Sequence, residues 1–397
     1  KGVINPTEWS AMERFMNTTV AENIEKYRKA DLTVQIVDAA GLPVQNAAVT
    51  LEQTNHAFSF GMSLGFFEPN SIFPGGDEKP LPVTQQELNI VPQIFNASMI
   101  PFSGKWVYLE PNPGEKRWSD LDKYVDFCTA HHMTLEFHYL SGITPAWMRR
   151  NPDPEKFLEH AEEVVDRYAD RIKYWQVENE DSLLQMTPPV FKALRAKHPG
   201  IQLGIADCVR FWGATTPGTR DWEQYKGWDS MEWLKSQGVK IDYFGVHGHR
   251  PPGLWADPRE MYEVLDRFQK EGVRVHITEE YLPPDGYPIV GPVRTGQWTP
   301  ELRAEYFVRY LTVAFSHPDV DLVNLWGMAP IGWGPSAGMI NMKGQPEPAV
   351  EALRKLFKET WHTHVEAKTG LDGKIAARAF HGTYDVTVRT ADGREVK

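Results

Sequence analysis

The stretch of sequence that decides the fold is PEKFLEHAEEVVDRYADRIKYWQVENE, residues 154–180. Its first part has a helical pattern of apolar residues, which predicts a helix over 154–169. Its second part is the short apolar segment YWQVEN, which predicts a buried strand over 174–179 and ends in polar residues. A helix followed by a short buried strand is the repeating unit of parallel α/β folds.

The same alternation of apolar strands and helical patterns runs through most of the chain. Strands are predicted at 56–63, 95–100, 134–139, 174–179, 202–207, 243–247, 274–278 and 322–326. Helical patterns occur, among other places, at 120–130, 154–169, 230–237, 259–270, 300–315 and 349–357. Eight such units predict an α/β fold, a (β/α)8 TIM barrel with its active site at the C-terminal ends of the strands. An open doubly wound sheet is the alternative, but HAFSFGMSLGF at 56–66 lacks the glycine spacing of a phosphate-binding loop.

The two ends of the chain have a different pattern, which predicts a small β-sandwich. Residues 7–28 are expected to form an amphipathic helix, followed by a β-hairpin with strands over 32–36 and 47–53. Further strands are predicted over 375–380 and 383–390. Each half has too few strands to be stable alone, so the two halves are expected to pair. The predicted domains are residues 1–55 (helix and part of the sandwich), 56–358 (barrel) and 359–397 (the remaining sandwich strands).

Charge and hydrophobicity exclude two classes of partner. The 397 residues carry a formal net charge of −11 and the Lys and Arg are scattered, so no nucleic acid partner is expected. No apolar run is long enough to cross a bilayer, so no membrane partner is expected either. A chain that begins with Lys1 is expected to have been trimmed, and a monomer is expected.

The cysteines and the aromatic residues point away from redox chemistry and towards sugar. Cys128 lies in a helical pattern and Cys208 follows an apolar strand, as buried thiols often do. Neither a disulfide framework, a redox role nor a Cys-ligated metal site is therefore expected. Aromatic residues make up 12% of the chain, more than a core alone usually requires, and pyranose rings are often held on aromatic faces.

Polar residues collect at the predicted C-terminal ends of the strands. They are Lys105, His138, Asn179, Glu180, Asp207, His247, His249, Glu279, Glu280 and Trp326. The strongest signal is a pair of acid clusters, WQVENED at 175–181 and HITEEY at 276–281, on the fourth and seventh strands. Glycoside hydrolysis needs two carboxyl groups that flank the scissile bond. The alternative is that these acids only form salt bridges at strand ends, with Arg250 and Arg274 as partners.

These segments resemble glycoside hydrolase family 10. WQVENE at 175–180 is similar to the WDVVNE segment of that family, and GVRVHITEEYL at 272–282 is similar to its nucleophile segment. Four further stretches match in order: SGKWVYLEP at 103–111, SDLDKYVDFCTAHHMTLEFH at 119–138, DYFGVHGH at 242–249 and LVNLWG at 322–327. The resemblance covers about residues 56–358 and is collinear, which chance rarely produces.

The resemblance implies an enzyme that cleaves β-glycosidic bonds in xylan or a related β-glycan, without cofactor or metal. Glu180 would be the general acid/base and Glu279 the nucleophile of a retaining double displacement, with the carboxyl groups about 5 to 5.5 Å apart. The expected substrate-binding or supporting residues are Lys105, His138, Asn179, His247, His249, Trp326 and Trp333. The expected partner is a polysaccharide or oligosaccharide, and the expected location is secreted or periplasmic, with no signal in this sequence.

Strand alternation leaves open which acid of the seventh strand points into the barrel. Val273, Val275 and Ile277 are expected to face the helices, and a strict period of two would then place Glu280 inside and Glu279 outside. A bulge or bend at the strand end would reverse this arrangement. The family motif favours Glu279, and Glu280 is the alternative.

Several positions depart from the family pattern. Pro101 and Phe102 stand where xylan-cleaving members have an acidic residue and Asn. Gln176 replaces the Asp of WDVVNE, and His247 replaces the Gln of the GxQxH segment. These changes imply a β-glycan or substituted substrate other than plain xylan, or exo rather than endo action.

Two other function classes stay open. A carbohydrate-binding pseudoenzyme would keep the aromatic cleft without turnover. A metal-dependent barrel hydrolase would use His138, His247, His249 and a carboxylate, although the first strand has His56 alone where such enzymes pair two histidines.

Overall fold

The structure is a computed structural model that describes residues 2–68, 82–180, 183–209, 211, 222–249, 252–328, 338–341, 343–390 and 393–397, with the backbone alone at 222–226. Within these residues, eight parallel strands form a closed barrel. In chain order they are Ser59–Met62, Ala97–Ile100, Thr134–Phe137, Tyr174–Asn179, Gln202–Asp207, Tyr243–Val246, Arg274–Glu280 and Val320–Leu325. The eighth strand closes the ring on the first, with Leu322 opposite Ser59 and Leu325 opposite Met62.

The predicted (β/α)8 TIM barrel with a β-sandwich built from both chain ends is confirmed. Each predicted barrel strand overlaps an observed one, and both ends of the fourth and fifth strands coincide with the prediction. Every residue of the fourth strand is buried. Burial on both faces is characteristic of parallel strands that are covered by helices, and it explains why their segments are continuously apolar.

The helices around the barrel begin at residues that favour helix starts. Asp153, Asp257 and Thr299 accept hydrogen bonds from the first turns of the helices that follow them, each of which has Pro in its first turn. The described helices after the first strand are Gln85–Ile94, Trp106–Leu109, Ser119–Ala130, Ala146–Arg150, Pro154–Tyr168, the 3-10 turn Leu184–Met186, Thr187–Lys197, Trp222–Ser236, Pro258–Lys270, Pro300–Ser316 and Pro348–Lys355, which continues as a π-helix over Leu356–Thr360. Among the described helices, none has the length and apolar character needed to cross a membrane.

The N-terminal helix lies against the outside of the barrel. It runs from Pro6–Phe15 through a π-helical segment, Met16–Val20, into Ala21–Tyr27, much as the helical pattern of residues 7–28 predicts. Phe15 packs edge to face on Tyr262, with ring centroids 5.1 Å apart. Because Tyr262 belongs to an outer barrel helix, this contact attaches the N-terminal helix to the helical layer.

The sandwich consists of two sheets, and the predicted hairpin between 32–36 and 47–53 is wrong. Lys29–Gln35 pairs with Lys374–Phe380 in one sheet. The other sheet has the strand order His364–Lys368, Ala48–His56, Gly382–Arg389 and Glu395–Val396. The two strands that were expected to pair therefore lie in different sheets, and the strand His364–Lys368 had no counterpart in the prediction.

The placement of apolar side chains explains this difference. Val49 and Leu51 pack with Ile375 of the opposite sheet, and Leu32 and Val34 pack against the same cluster. A hairpin would leave the apolar faces of both strands on one side of a single small sheet, whereas two facing sheets bury them against each other. Alternation predicts which face of a strand is buried, but it does not identify the neighbouring strand.

The sandwich joins the barrel at the N-terminal ends of the barrel strands. Its strand Ala48–His56 leads within three residues to the first barrel strand, which begins at Ser59. Trp361, which precedes the sandwich strand His364–Lys368, stacks on Phe60 with ring centroids 5.4 Å apart and on Phe315 at 4.2 Å. This aromatic joint leaves the opposite, C-terminal end of the barrel, here called the mouth, to the polar residues.

Candidate active site

The two carboxylates singled out in the sequence lie at the ends of the fourth and seventh strands. Glu180 directly follows the fourth strand, and Glu279 is the next-to-last residue of the seventh. The side chain of Glu279 is 7% exposed and that of Glu180 is 51% exposed. Glu180 also has a φ of 59°, a left-handed conformation that costs a residue with a side chain about 1 kcal/mol or more. One carboxylate is therefore held inside the mouth, and the other reaches solvent from a strained backbone.

One imidazole lies between the two carboxyl groups. His247 Nε2 is 3.1 Å from Glu279 Oε1 and 2.8 Å from Asn179 Oδ1. The other ring nitrogen, Nδ1, is 3.5 Å from Glu180 Oε1. Because both oxygens contact the same small ring, the two carboxyl groups lie at opposite nitrogens of one imidazole.

The neighbours of His247 determine which of its nitrogens carries the proton. Both partners of Nε2 are acceptor oxygens, so Nε2 carries the proton and donates to Glu279 and Asn179. Nδ1 of the neutral ring then has a lone pair, which faces Cys208 Sγ at 3.4 Å. The N–H side of the ring thus supports the charge of Glu279, and the lone-pair side faces Cys208 and Glu180.

His138 contacts Glu279 from a second direction. Its Nε2 is 3.3 Å from Glu279 Oε1, and its Nδ1 is 2.6 Å from Gln176 Oε1. Burial, together with the nearby charge of Lys105, lowers the pKa of His138 well below its ordinary value. The ring is therefore neutral at the pH values at which most enzymes work.

A buried chain of hydrogen bonds beneath the mouth orients His138. Gln176 Nε2 donates to Glu136 Oε1 at 2.5 Å, and Glu136 Oε2 lies 2.8 Å from His276 Nδ1. The amide nitrogen of Gln176 donates to Glu136, so the amide oxygen of Gln176 is the atom that faces His138. His138 therefore donates from Nδ1 and presents an unprotonated Nε2 to the mouth.

A bulge near the end of the seventh strand turns Glu279 into the mouth. Between Ile277 and Glu280, this strand has one residue more than the facing segment of the eighth strand, Val323 to Leu325. A bulge of this kind reverses the direction of the side chains that follow it. The strict alternation that would place Glu280 inside and Glu279 outside is therefore wrong, and the extra residue is the physical reason.

The fourth strand has the same irregularity. Between Gln176 and Glu178 it has one residue more than the facing pair Gly204 and Ile205 of the fifth strand. Gln176 faces the barrel interior, and Asn179, three residues later, reaches His247 in the mouth. Both acid-bearing strands therefore depart from a period of two at the level of the site.

Glu280 lies on the other side of the seventh strand, next to Tyr310 of the helix Pro300–Ser316. It is buried. Burial raises the pKa of Glu280 to about 8, although the nearby Tyr310 hydroxyl favours the charged form. Glu280 is thus a buried carboxyl group that is protonated at neutral pH, and it does not lie in the mouth.

Aromatic rings and one lysine line the rest of the mouth. Lys105 is buried, and its Nζ lies 4.0 Å from the centroid of the Tyr139 ring. The ring of Trp326 lies edge to face with His138, with centroids 5.2 Å apart, and 6.0 Å from the ring of Phe102. Lys105 and Trp326 therefore lie near His138, which in turn contacts Glu279.

His249 supports Glu279 through the backbone. Its Nδ1 donates to the carbonyl oxygen of Glu279 at 2.6 Å, and its ring stacks on Tyr281 with centroids 4.5 Å apart. The contact positions the strand end that carries the carboxylate. Trp333, the other aromatic wall expected from the sequence, lies outside the described residues.

Sequence reasoning missed two residues that shape this site. Glu136 was not singled out, although a charged residue inside the apolar strand TLEF is a signal that could have identified it. Cys208 was interpreted as an inert buried thiol, but its Sγ lies 3.6 Å from Glu180 Oε1. Nothing in the sequence marks Cys208, because its partners in the site are distant along the chain.

Sequence comparison finds one family model and several proteins similar to this chain. The model of the family Glycosyl hydrolase family 10 matches residues 77–207. The chain is 26% identical over 386 residues to the anti-sigma-I factor RsgI6 of Acetivibrio thermocellus, over 92% of this chain and 46% of that protein. It is 26% identical over 213 residues to a beta-1,4-xylanase of Dictyoglomus thermophilum, over 48% of this chain and 58% of that enzyme. The chain thus spans about half the length of these two relatives.

The fold is similar to that of solved xylanases. The crystal structure of xylanase 10B from Thermotoga maritima superposes with a TM-score of 0.58, over 77% of this chain and 96% of the xylanase, at 17% identity. At this identity the match shows a common fold. Fold and site together define a (β/α)8 barrel protein with a carboxylate pair at its mouth, the architecture on which many glycoside hydrolases are built. The match of residues 77–207 to the model of Glycosyl hydrolase family 10 agrees with the resemblance found in the sequence.

Proposed function

We propose that this protein is a glycoside hydrolase that cleaves β-glycosidic bonds in xylan or a related β-glycan with retention of configuration. The observation that carries the proposal is that Glu180 and Glu279 contact opposite nitrogens of His247 at the mouth of the barrel. Double displacement needs two carboxyl groups on either side of one bond. One must be protonated to act as the acid, and the other must be ionised to act as the nucleophile. The proposal rests also on the match of residues 77–207 to the family 10 model and on similarity to proteins named xylanases.

In this proposal Glu279 is the nucleophile. It is nearly buried, and the N–H of His247 would stabilise its carboxylate form until the carboxylate attacks the anomeric carbon. The unprotonated Nε2 of His138 can accept a hydrogen bond from a sugar hydroxyl next to Glu279. Asn179 is proposed to bind the sugar 2-hydroxyl, and Lys105 to bind the sugar at the cleaved bond.

Glu180 is the proposed acid/base. Its half-exposed carboxyl group can protonate the departing sugar oxygen and then remove a proton from water that enters from solvent. Water attack on the glycosyl intermediate restores Glu279 and releases a sugar of the original configuration. Trp326 and Trp333 are proposed as apolar walls beneath the sugar ring.

The substrate is proposed to be a β-glycan other than unsubstituted xylan. Phe102 packs against Trp326 and against Phe66, with ring centroids 6.0 and 5.9 Å apart. Where xylan-cleaving members have polar groups for the next sugar, this chain therefore has a buried apolar cluster. Because this cluster offers no charged or amide group to sugar hydroxyls, we propose a substrate whose next unit differs from that of plain xylan.

The proposed substrate is a polymer, which cannot enter cells intact, so we propose that the enzyme acts outside the cytoplasm. We also propose that residues 56–358 form the catalytic domain. In this division, residues 1–55 and 359–397 form an accessory sandwich that braces the N-terminal end of the barrel through the aromatic joint.

The test is release of reducing ends from xylan, substituted xylans, mixed-linkage glucan, cellulose and aryl β-glycosides. The anomer formed first is identified by NMR. We expect turnover on at least one substrate, a β product, and loss of turnover in Glu180→Gln and Glu279→Gln. Azide should rescue an alanine variant of each acid, yielding a β-glycosyl azide for Glu180→Ala and an α-glycosyl azide for Glu279→Ala.

Other outcomes separate the alternatives. Binding of xylo-oligosaccharides without turnover of any substrate would replace the proposal with a carbohydrate-binding pseudoenzyme. An α product would indicate an inverting mechanism. Loss of turnover on treatment with a chelator, with recovery on adding metal, would identify a metal-dependent hydrolase.

A further inference from the structure

We propose that Cys208, His247 and Glu180 form a binding site for Zn²⁺ at the mouth of the barrel, and that Zn²⁺ bound there reversibly inhibits the enzyme. The binding part of this proposal stands on geometry alone. The inhibition part rests on the function proposed above, because it requires Glu180 to be the acid/base.

The three potential ligand atoms already form a triangle of the size that Zn²⁺ requires. Cys208 Sγ is 3.4 Å from His247 Nδ1 and 3.6 Å from Glu180 Oε1. His247 Nδ1 is 3.5 Å from Glu180 Oε1. With usual bond lengths and tetrahedral angles at zinc, a sulfur ligand lies about 3.5 Å from a nitrogen or oxygen ligand, and those two lie about 3.3 Å apart. Each observed edge is thus within about 0.2 Å of a tetrahedral face, so little rearrangement is needed.

The protonation of His247 also suits a metal ligand. Its Nδ1 has the lone pair that a metal needs, because Nε2 carries the proton and donates to Glu279 and Asn179. Metal-binding histidines almost always donate their second ring N–H to a carboxylate or carbonyl, which fixes the ring and strengthens it as a ligand. Glu279 and Asn179 supply both kinds of acceptor.

The ligand types select zinc over the common hard cations. A thiolate and an imidazole favour Zn²⁺ over Mg²⁺ and Ca²⁺, which prefer oxygen ligands. On binding, the Cys208 S–H bond breaks, the proton passes to solvent, and a zinc–sulfur bond forms. The half-exposed Glu180 gives the ion an entry path and leaves room for water as the fourth ligand.

A second group of potential ligands, His247, His249 and Glu279, also lies close together. It is less suited to a metal, because use of His247 in this group would require Nε2 to lose the proton that it donates to Glu279 and Asn179. This group also contains no sulfur, so spectroscopy can distinguish the two.

Zinc in the Cys208 site would block catalysis directly. The Glu180 carboxylate would be a metal ligand, so it could neither donate a proton to the leaving oxygen nor accept one from water. Exposed His and carboxylate side chains elsewhere on the surface would bind the ion far from the mouth without this effect. Inhibition should therefore require Cys208.

The test uses the full chain with Co²⁺, which replaces Zn²⁺ in tetrahedral sites and is coloured. We expect one equivalent of Co²⁺ to produce a sulfur-to-cobalt charge-transfer band and strong visible bands, both removed by excess Zn²⁺ or by a chelator. Cys208→Ser should lose the charge-transfer band and weaken Zn²⁺ binding by more than about 100-fold, a larger loss than removing an outer hydrogen-bond partner causes. Cys128→Ser is the matched control, since Cys128 is the other buried thiol and lies in a helix away from the mouth.

Activity supplies the second readout, taken relative to the metal-free rate of each variant. Saturating Zn²⁺ should reduce the rate of the parent and of Cys128→Ser at least tenfold, and that of Cys208→Ser less than twofold. Absence of the charge-transfer band in the parent, or its persistence in Cys208→Ser, would overturn the binding site. A band without inhibition of an active parent would overturn the inhibitory role. A band in a parent without glycosidase activity would contradict the proposed function and leave the binding site standing.

Discussion

Two pairs of glutamates in the same barrel have opposite surroundings. Glu180 and Glu279 lie at the mouth, where one reaches solvent and the other is bordered by groups that a substrate could touch. Glu136 and Glu280 are buried. Glu136 lies inside the barrel, and Glu280 lies between a strand and a helix. All four are at or near the ends of barrel strands, so position along a strand alone does not distinguish them.

The comparison shows that a carboxyl–imidazole contact is not by itself a sign of catalysis. Glu136 contacts His276 at 2.8 Å, and Glu279 contacts His247 at 3.1 Å. The difference is access: the first pair is fully buried, whereas the second continues through Nδ1 of His247 to the half-exposed Glu180. Changes at the mouth should therefore alter turnover, and changes at the two buried acids should alter stability.

The largest effect is expected for Glu279→Gln. Loss of the nucleophilic oxygen should reduce kcat on an activated aryl glycoside by about 10⁴-fold or more, because no other described side chain in the mouth is placed to replace it. Urea denaturation should show a change in the free energy of unfolding of less than about 1 kcal/mol. A variant that keeps a tenth of the parent activity would remove Glu279 from the proposed mechanism.

The free energy of unfolding should depend on pH because of Glu280. Its pKa of about 8 in the folded chain lies above the ordinary value of 4.5, so the fold favours the protonated acid. The stabilisation is fully present below about pH 4.5 and is lost as pH rises through about 8, by as much as about 5 kcal/mol at 1.36 kcal/mol per pH unit. Denaturation of the parent and of Glu280→Gln between pH 5 and pH 9 measures this loss.

The glutamine variant should have a flatter profile than the parent and should be the more stable of the two at pH 9, since an amide cannot ionise. Glu159→Gln is a suitable control, because Glu159 is exposed and paired only with Lys156 on the surface. Identical slopes in the parent and in Glu280→Gln would show that another group controls the pH dependence.

Glu136→Ala should lower the free energy of unfolding by about 3 to 5 kcal/mol. The change leaves His276 and the amide of Gln176 buried without their acceptor, and breaking a buried pair carries that cost. Glu159→Ala, which removes an exposed partner of Lys156, should cost less than about 1 kcal/mol. If both variants lower the free energy of unfolding by a similar small amount, the buried chain of hydrogen bonds through Glu136 contributes little to stability.

The smallest effect is expected for His247→Gln. An amide N–H can still donate to the Glu279 carboxylate, so kcat/KM should fall by no more than about tenfold. The variant should lose high-affinity Zn²⁺ binding, because an amide does not provide the imidazole lone pair. A fall of more than about 1,000-fold would indicate that the imidazole itself transfers a proton during turnover.

The sequence predicted the barrel more completely than it predicted the β-sandwich at the chain ends. The barrel strands were predicted because each is a short apolar segment bounded by polar residues, and burial on both faces makes that signal strong. The sandwich strands at 32–36 and 47–53 were located, but their pairing was not, because alternation is a property of one strand and pairing is a property of two. The same limit applies to Glu279 and Glu280, whose directions depend on a bulge that alternation does not contain.

The sequence by itself determined the barrel, the acids that end its fourth and seventh strands, and the resemblance to family 10, because hydrophobic pattern and motif are local along the chain. Only the tertiary structure decided that Glu279 rather than Glu280 enters the mouth, and that Cys208 lies beside Glu180 and His247. These arrangements depend on the register between neighbouring strands and on contacts between residues distant along the chain. Such contacts form only when the ring of strands closes.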